Sequence, residues 1–245
     1  MTSEEFLSLK ARPQPMTLDR MHAAVIVVDM QNDFGSVGGM MHRNGLDISE
    51  IQAAVAPTAR VIHAARRVGI PVVYLKMGFL PDLSDIGPDG SANRDRHLFF
   101  GVGQAIEALD GTQGRILVRD TWNTDIVAGL QPAPQDIVVW KRRFSGFFET
   151  ELDDVLQGLG VKDLIFTGCT TSVCVESTVR DAMFRDYRCV VLEDCTAEPI
   201  GAGLARSNHE ASLLVIETLF GWLSTSADLI EALGQGVRDR EATVA

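Results

Sequence analysis

A chain of 245 residues, 46% apolar and 22% charged, has material for one sizeable α/β domain, and its composition is too ordinary for a fibrous or disordered protein. Its formal net charge of −11 argues against the basic face that nucleic-acid phosphates require. No apolar run reaches bilayer-spanning length and the opening residues lack the apolar core of a signal peptide, so a cytoplasmic protein without a membrane partner is expected.

Residues 1–22 mix charge with Pro13 and Pro15 and are expected to run as an N-terminal arm, extended over the surface. Ala23 to Val28 is a continuous apolar run, the mark of a strand buried on both faces, and it ends in Asp29. After a loop holding Gly35, Gly38 and Gly39, Asp47 is placed to cap a helix. Ile51, Val55, Ala59, Ile62 and Ala65 step along one face of that helix, and Gly69 closes it. Ile70 to Leu75 reads as the next strand, completing a right-handed βαβ unit. From Lys76 to about Arg115 the periodicity lapses among glycines and prolines; Phe79, Phe99 and Phe100 within this segment suggest an ordered lid over a substrate pocket.

Asp136 to Trp140 is a third strand, ending in Lys141, and Thr150 can cap a helix through Leu152, Val155 and Leu156. Leu164 to Phe166 enters a stretch that stops at Gly168, passes through Cys169, Thr170, Thr171 and Ser172, and resumes with Val175, Val179, Ala182 and Met183 at helical spacing. The pattern is strand, tight turn, helix. Arg188 to Leu192 is a fifth strand, a helix follows with Leu213, Leu214, Ile216 and Leu219, and an apolar run from Leu229 to Leu233 precedes a polar tail over 235–245. The expected fold is a three-layer α/β/α, Rossmann-like, doubly wound single domain over 23–234, with a mainly parallel sheet.

Cys174 falls where the helix begins. Unpartnered backbone N–H groups there favour thiolate over thiol and can hold the oxyanion of an acyl intermediate. The blander reading is a small core residue filling a gap. Cys189 and Cys195 are expected in the core, and all four cysteines are expected to be free thiols. The five histidines lack HxH or HExxH spacing, so no metal site is indicated. Strand carboxyl ends converge on one crevice in an open parallel sheet, and Asp29, Lys141 and Cys174 all sit at such ends. Their types are complementary: a base, a cation and a nucleophile that attacks a carbonyl.

Val27 to Phe34, Lys141 and Thr171 to Thr178 together resemble the isochorismatase-like cysteine hydrolases, with the resemblance running from about Ala23 to Leu233. It implies Asp29 as general base, Lys141 as its assistant, Cys174 as nucleophile, and an oxyanion hole from the N–H groups of Thr170 and Cys174. It further implies a cis peptide at Cys169–Thr170, chemistry without a cofactor, and a homo-oligomer, dimer or tetramer. Within the family, Arg143 to Phe148, Cys174 to Asp181, Val190 to Asp194 and Ile216 to Trp222 are similar to the ureidoacrylate amidohydrolases, which implies a small ureido or amide substrate.

Met77 and Phe144 stand where that group carries an asparagine and a tyrosine, which implies a less polar pocket and leaves a more apolar amide as an alternative. Ser91 and Asn93 match its polar lid positions. Met77, Phe79, Ser91, Asn93 and Phe144 are therefore the expected substrate-binding residues. Biuret and triuret hydrolases are the nearest alternatives inside the family, although Ile216 stands where a biuret enzyme has glutamine. A catalytically silent, metabolite-binding relative is the alternative from another class.

Overall fold

The computed structural model describes residues 6–244, with side chains described as far as Gln235. The expected polar tail over 235–245 therefore falls largely outside the described side chains; its backbone continues a helix to Val244. The strands, in chain order, are β1 (Phe6–Leu9), β2 (Met16–Asp19), β3 (Ala23–Val28), β4 (Val72–Met77), β5 (Ala105–Glu107), β6 (Gln113–Arg115), β7 (Ile137–Lys141), β8 (Asp163–Cys169), β9 (Arg188–Ala197) and β10 (Trp222–Ser224). The helices are α1 (Asn32–Gly35), α2 (Met40–Arg43), α3 (Ser49–Arg67), α4 (Ala92–Phe99), α5 (Leu152–Gly158), α6 (Glu176–Met183), α7 (Asn208–Val215) and α8 (Ser226–Val244).

Six strands form one sheet in the order β10-β9-β8-β3-β4-β7, and every neighbouring pair in it is parallel. The chain builds outward from β3 through β4 to β7, then returns to the other side of β3 with β8 and continues to β9 and β10. The order reverses between β3 and β8, and a crevice opens at the carboxyl ends of strands at such a point.

The apolar run of β3 is explained by the layers. Ala23, Val25 and Val27 face a core that holds Ile51, Val61 and Ile62 of α3 and Leu229 and Leu233 of α8. Ala24, Ile26 and Val28 face a second core with Leu152 and Leu156 of α5, Val179 of α6 and Leu213 of α7. A strand with helices on both sides has no position for a polar side chain, so alternation disappears.

The first five residues of the expected N-terminal arm lie outside the described residues, and 6–22 are not an extended surface segment. β1 and β2 pair antiparallel, and their alternation buries Leu7, Leu9, Met16 and Leu18 in the first core. The turn between them is tied down where Arg12 and Leu223 exchange backbone hydrogen bonds of 2.9 and 3.0 Å. Arg12 also pairs with Glu193 at 2.9 Å and with Glu217 at 3.3 Å. Period-two burial over such short strands, with Pro13 and Pro15 between them, explains why the pairing is hidden in the sequence.

The segment 76–115 is ordered. It contains α4 and the antiparallel pair β5–β6. β9 runs five residues beyond the expected end at Leu192, through a register shift opposite Phe166 and Gly168. Asp47 does not cap α3 itself: Ile48 is the cap residue, and Asp47 accepts the Ser49 N–H at 2.9 Å from one position further out. Among the described residues no helix is long and apolar enough to cross a membrane.

Candidate active site

Three strand ends meet at the crevice. Asp29 follows β3 directly and has a left-handed backbone, φ 49°, which is unusual for a residue with a side chain and clusters at functional sites. Its N–H donates to the Leu75 carbonyl at 2.9 Å, and its carbonyl accepts from Gln31 at 2.8 Å. Gln31, itself fully buried, donates to the carbonyls of Met77 and Thr124 and accepts the Met77 N–H. These bonds fix the end of β4 against the Asp29 turn.

Lys141, the last residue of β7, is fully buried, and its Nζ lies 2.7 Å from Oδ2 of Asp29, also fully buried. The ammonium also donates to the Arg143 carbonyl at 3.2 Å and to Met77 Sδ at 3.5 Å. Beyond this ion pair, neither Asp29 carboxylate oxygen accepts a hydrogen bond of ordinary geometry. The Cys174 side chain and the Met77 N–H also stabilise the charged carboxylate, more weakly than Lys141 does, so Asp29 and the thiol are placed to share a proton.

Cys174 comes from the turn after β8. Gly168 has φ +108°, and a Cβ there would lie 2.0 Å from the Val28 carbonyl oxygen, so only glycine lets the ends of β3 and β8 approach this closely. The Cys169–Thr170 peptide is cis, as the resemblance implies. Thr171–Val175 then forms a π-helical turn before α6, a form frequent at functional sites. The Thr170 carbonyl accepts from the N–H groups of Val173 and Val175 at 3.1 and 3.2 Å.

The electrostatics correct one expectation. Cys174 lies inside the turn that precedes α6 rather than at a solvated helix end, and it is buried. Burial pushes its thiol well above the ordinary range; Lys141 opposes that rise and the Asp29 charge adds to it. Burial thus works against the thiolate expected at a helix start, while Lys141 works for it. Burial likewise lifts Asp29 above the ordinary carboxylate range, with Lys141 limiting the rise. The Asp29 carboxylate and the Cys174 thiol are in contact, and each shifts the other's ionisation.

Cys174 opens on a cavity of about 140 Å³ whose wall includes Phe34, Met77, His97, Leu117, Phe144 and Thr170. Of the expected substrate-binding residues, Met77 and Phe144 line it. Phe79 does not: it is fully buried one layer behind, edge-on to His97 with ring centroids 5.1 Å apart. Ser91 and Asn93 do not line it either. Ser91 caps α4 by accepting the Arg94 N–H at 3.3 Å, and the Asn93 side chain donates to the Ile86 carbonyl at 2.7 Å. Both fix the helix that carries the wall residues Arg96 and His97.

Sequence reasoning missed His97, set aside for want of metal-ligand spacing, and Glu198. Glu198, just beyond β9 and fully buried, accepts from the Ser172 N–H at 3.0 Å, from the Ser172 hydroxyl at 2.5 Å and from the Ile200 N–H at 3.0 Å. It ties the turn two residues before Cys174 to Ile200 in the cavity wall. The Thr171 hydroxyl pairs with His209 Nδ1 at 2.8 Å, bracing the same turn from α7. No sequence pattern marks either residue; a glutamate closing a strand reads as a solvated charge. Among the described residues no three histidine, cysteine, aspartate or glutamate side chains converge as a metal-holding group.

A doubly wound parallel sheet with a carboxylate, an ammonium and a thiol at its switch point is the arrangement of a cysteine hydrolase on an α/β/α scaffold. The chain belongs to the isochorismatase family: the family described as Isochorismatase domain matches residues 23–228. A ureidoacrylate amidohydrolase of Variovorax paradoxus is 41% identical over 224 residues, covering 91% of this chain and 86% of the relative. One from an Enterobacter species is 41% identical over 229 residues, covering 92% and 95%. Among solved structures, a cysteine hydrolase of Pseudomonas syringae matches with a TM-score of 0.75 at 29% identity, covering 96% of this chain and 100% of the other. N-carbamoylsarcosine amidase of Thermoplasma acidophilum matches with a TM-score of 0.61 at 26% identity, covering 83% and 96%.

Proposed function

We propose that this protein is a cysteine amidohydrolase that removes the terminal nitrogen of a small ureido acid of the ureidoacrylate type. The observation that carries the reading is the fully buried Asp29–Lys141 pair in contact with Cys174, which itself opens on a small cavity. The ureidoacrylate activity of relatives that match nine-tenths of the chain supports the substrate class.

In this reading Asp29 takes the Cys174 proton as sulfur attacks the ureido carbonyl carbon. N–H groups of Thr170 and Cys174 hold the oxyanion. The C–N bond breaks, the departing nitrogen takes the proton from Asp29 and leaves as ammonia, and a carbamoyl group remains on sulfur. Water then gives a proton to Asp29 while its oxygen attacks. The C–S bond breaks, sulfur recovers the proton, and the released carbamate loses carbon dioxide. Lys141 keeps Asp29 ionised between proton transfers.

The test is ammonia release from 3-ureidoacrylate, biuret, N-carbamoyl amino acids and aryl amides, beside the Cys174→Ala variant. The expected outcome is turnover of a ureido acid, at least about 10⁴-fold lower in the variant, with a carbamoylated wild-type chain trapped on rapid quenching. No ammonia from any compound, or equal release by the variant, ends the proposal.

The apolar wall around Met77 and Phe144 favours a second reading, a more apolar amide as substrate; it takes over where an aryl amide has the higher kcat/KM. The reading also includes a cytoplasmic location and a homo-oligomer, dimer or tetramer; the largely exposed Phe99, Leu109 and Phe184 support subunit contacts, and light scattering measures the oligomer.

A further inference from the structure

His97 stands in the cavity wall with one ring nitrogen committed and the other free. Its Nδ1 lies 2.6 Å from the Asn93 carbonyl oxygen, which can only accept, so Nδ1 carries the hydrogen. In the neutral ring Nε2 is then a bare acceptor, and the Nδ1 contact is the one hydrogen bond the ring makes among the described residues. Burial holds the ring neutral, and the nearby Lys141 and Arg143 charges act in the same direction.

The ring cannot turn away. Phe79 meets it edge-on at 5.1 Å, and Phe144 stacks on it at 5.6 Å with 28° between planes. The rest of the wall is short of acceptors: Arg96 only donates, Thr170 and Cys174 belong to the chemistry, and Met40, Met41, Phe100 and Val173 are apolar. Packing against two phenylalanines explains a flat ring at this position but does not explain an imidazole. Asn93, near the start of α4, already offers its carbonyl to the helix, so the ring is not needed to satisfy it.

We infer that His97 is a specificity-determining residue whose Nε2 accepts a hydrogen bond from the internal N–H of a bound ureido group; this rests on the amidohydrolase reading above. The three polar parts of a ureido group then have separate partners. The carbonyl oxygen belongs to the N–H groups of the Cys174 turn, and the terminal nitrogen, which must leave with a proton, belongs to Asp29. The internal N–H is left for the lid side of the cavity, where His97 is the available acceptor. An acceptor in an apolar wall that loses its donor is left desolvated and unpaired, which is how such a site rejects analogues.

The experiment compares 3-ureidoacrylate with its analogue methylated on the internal nitrogen, in the wild type, His97→Phe and His97→Gln. Phenylalanine keeps the stacked ring without the acceptor; glutamine restores an acceptor without the ring. The wild type is expected to prefer the N–H compound by about 10- to 100-fold in kcat/KM. His97→Phe loses roughly that factor on the N–H compound while changing the methylated one by less than about threefold. His97→Gln recovers part of the preference. The rate at which methyl methanethiosulfonate modifies Cys174 stays within about twofold throughout, because His97 takes no part in the Asp29–Cys174 proton transfer. An equal loss on both compounds, or a matching fall in thiol modification, overturns the inference alone. A wild type that hydrolyses neither compound overturns it together with the amidohydrolase reading.

Discussion

Asp29 and Lys141 set each other's ionisation, and that makes their pH behaviour predictable. The base must be a carboxylate to receive the thiol proton, so activity rises as Asp29 loses its own proton. Burial raises Asp29, which places the acid limb of kcat/KM above the pH range of an exposed aspartate. Lys141 lowers Asp29 through its charge, so Lys141→Met shifts that limb further upward in pH. At neutral pH the variant is expected to lose about 10²-fold or more in kcat/KM, and to regain part of it as pH rises. A pH profile beside a thermal melt is the check. An unchanged limb removes Lys141 from the proton relay, and an unfolded variant marks it as structural.

At the scale of elements, the site exists because β3 and β8 end in contact. The Gly168→Ala methyl would fall on the Val28 carbonyl at a backbone angle that side chains rarely adopt, so β8 must move away from Asp29. The expected cost is about 3 kcal/mol or more, at the upper end of single substitutions. Urea unfolding measures the loss, and slower methanethiosulfonate modification reports the displaced turn. How much of the site the sequence discloses follows from the same geometry. Asp29 and Lys141 end runs of strand length, and the Gly168-to-Cys174 stretch breaks a strand into small residues, so all three positions are readable. α4 is not, because it is short, mostly polar, and presents only His97 as a buried residue. Glu198 is invisible for another reason: β9 continues to Ala197 through an irregular register, where a strand ending at Leu192 looks complete.

Across the whole molecule, the described segment before β3, residues 6–22, is part of the fold rather than an appendage. Leu9 and Leu18 are fully buried, and the hairpin's turn is bonded to β10 at the far edge of the sheet. Leu9→Ala is expected to cost about 2–5 kcal/mol and to lower Tm by about 2–4 °C for each of those. kcat at 25 °C should be little changed, since the hairpin adds no wall residue to the cavity; scanning calorimetry with an activity assay separates the two effects. β10, three residues long, escapes a sequence reading for the same reason as the hairpin: its periodicity is too brief to register.

Cys169, Cys189 and Cys195 are sealed within the cores, whereas Cys174 opens on the cavity. The native chain thus carries its own stoichiometric gauge: a small sulfhydryl reagent consumed mole for mole before denaturation counts competent molecules, and the remaining sulfurs answer only after the polypeptide has come apart.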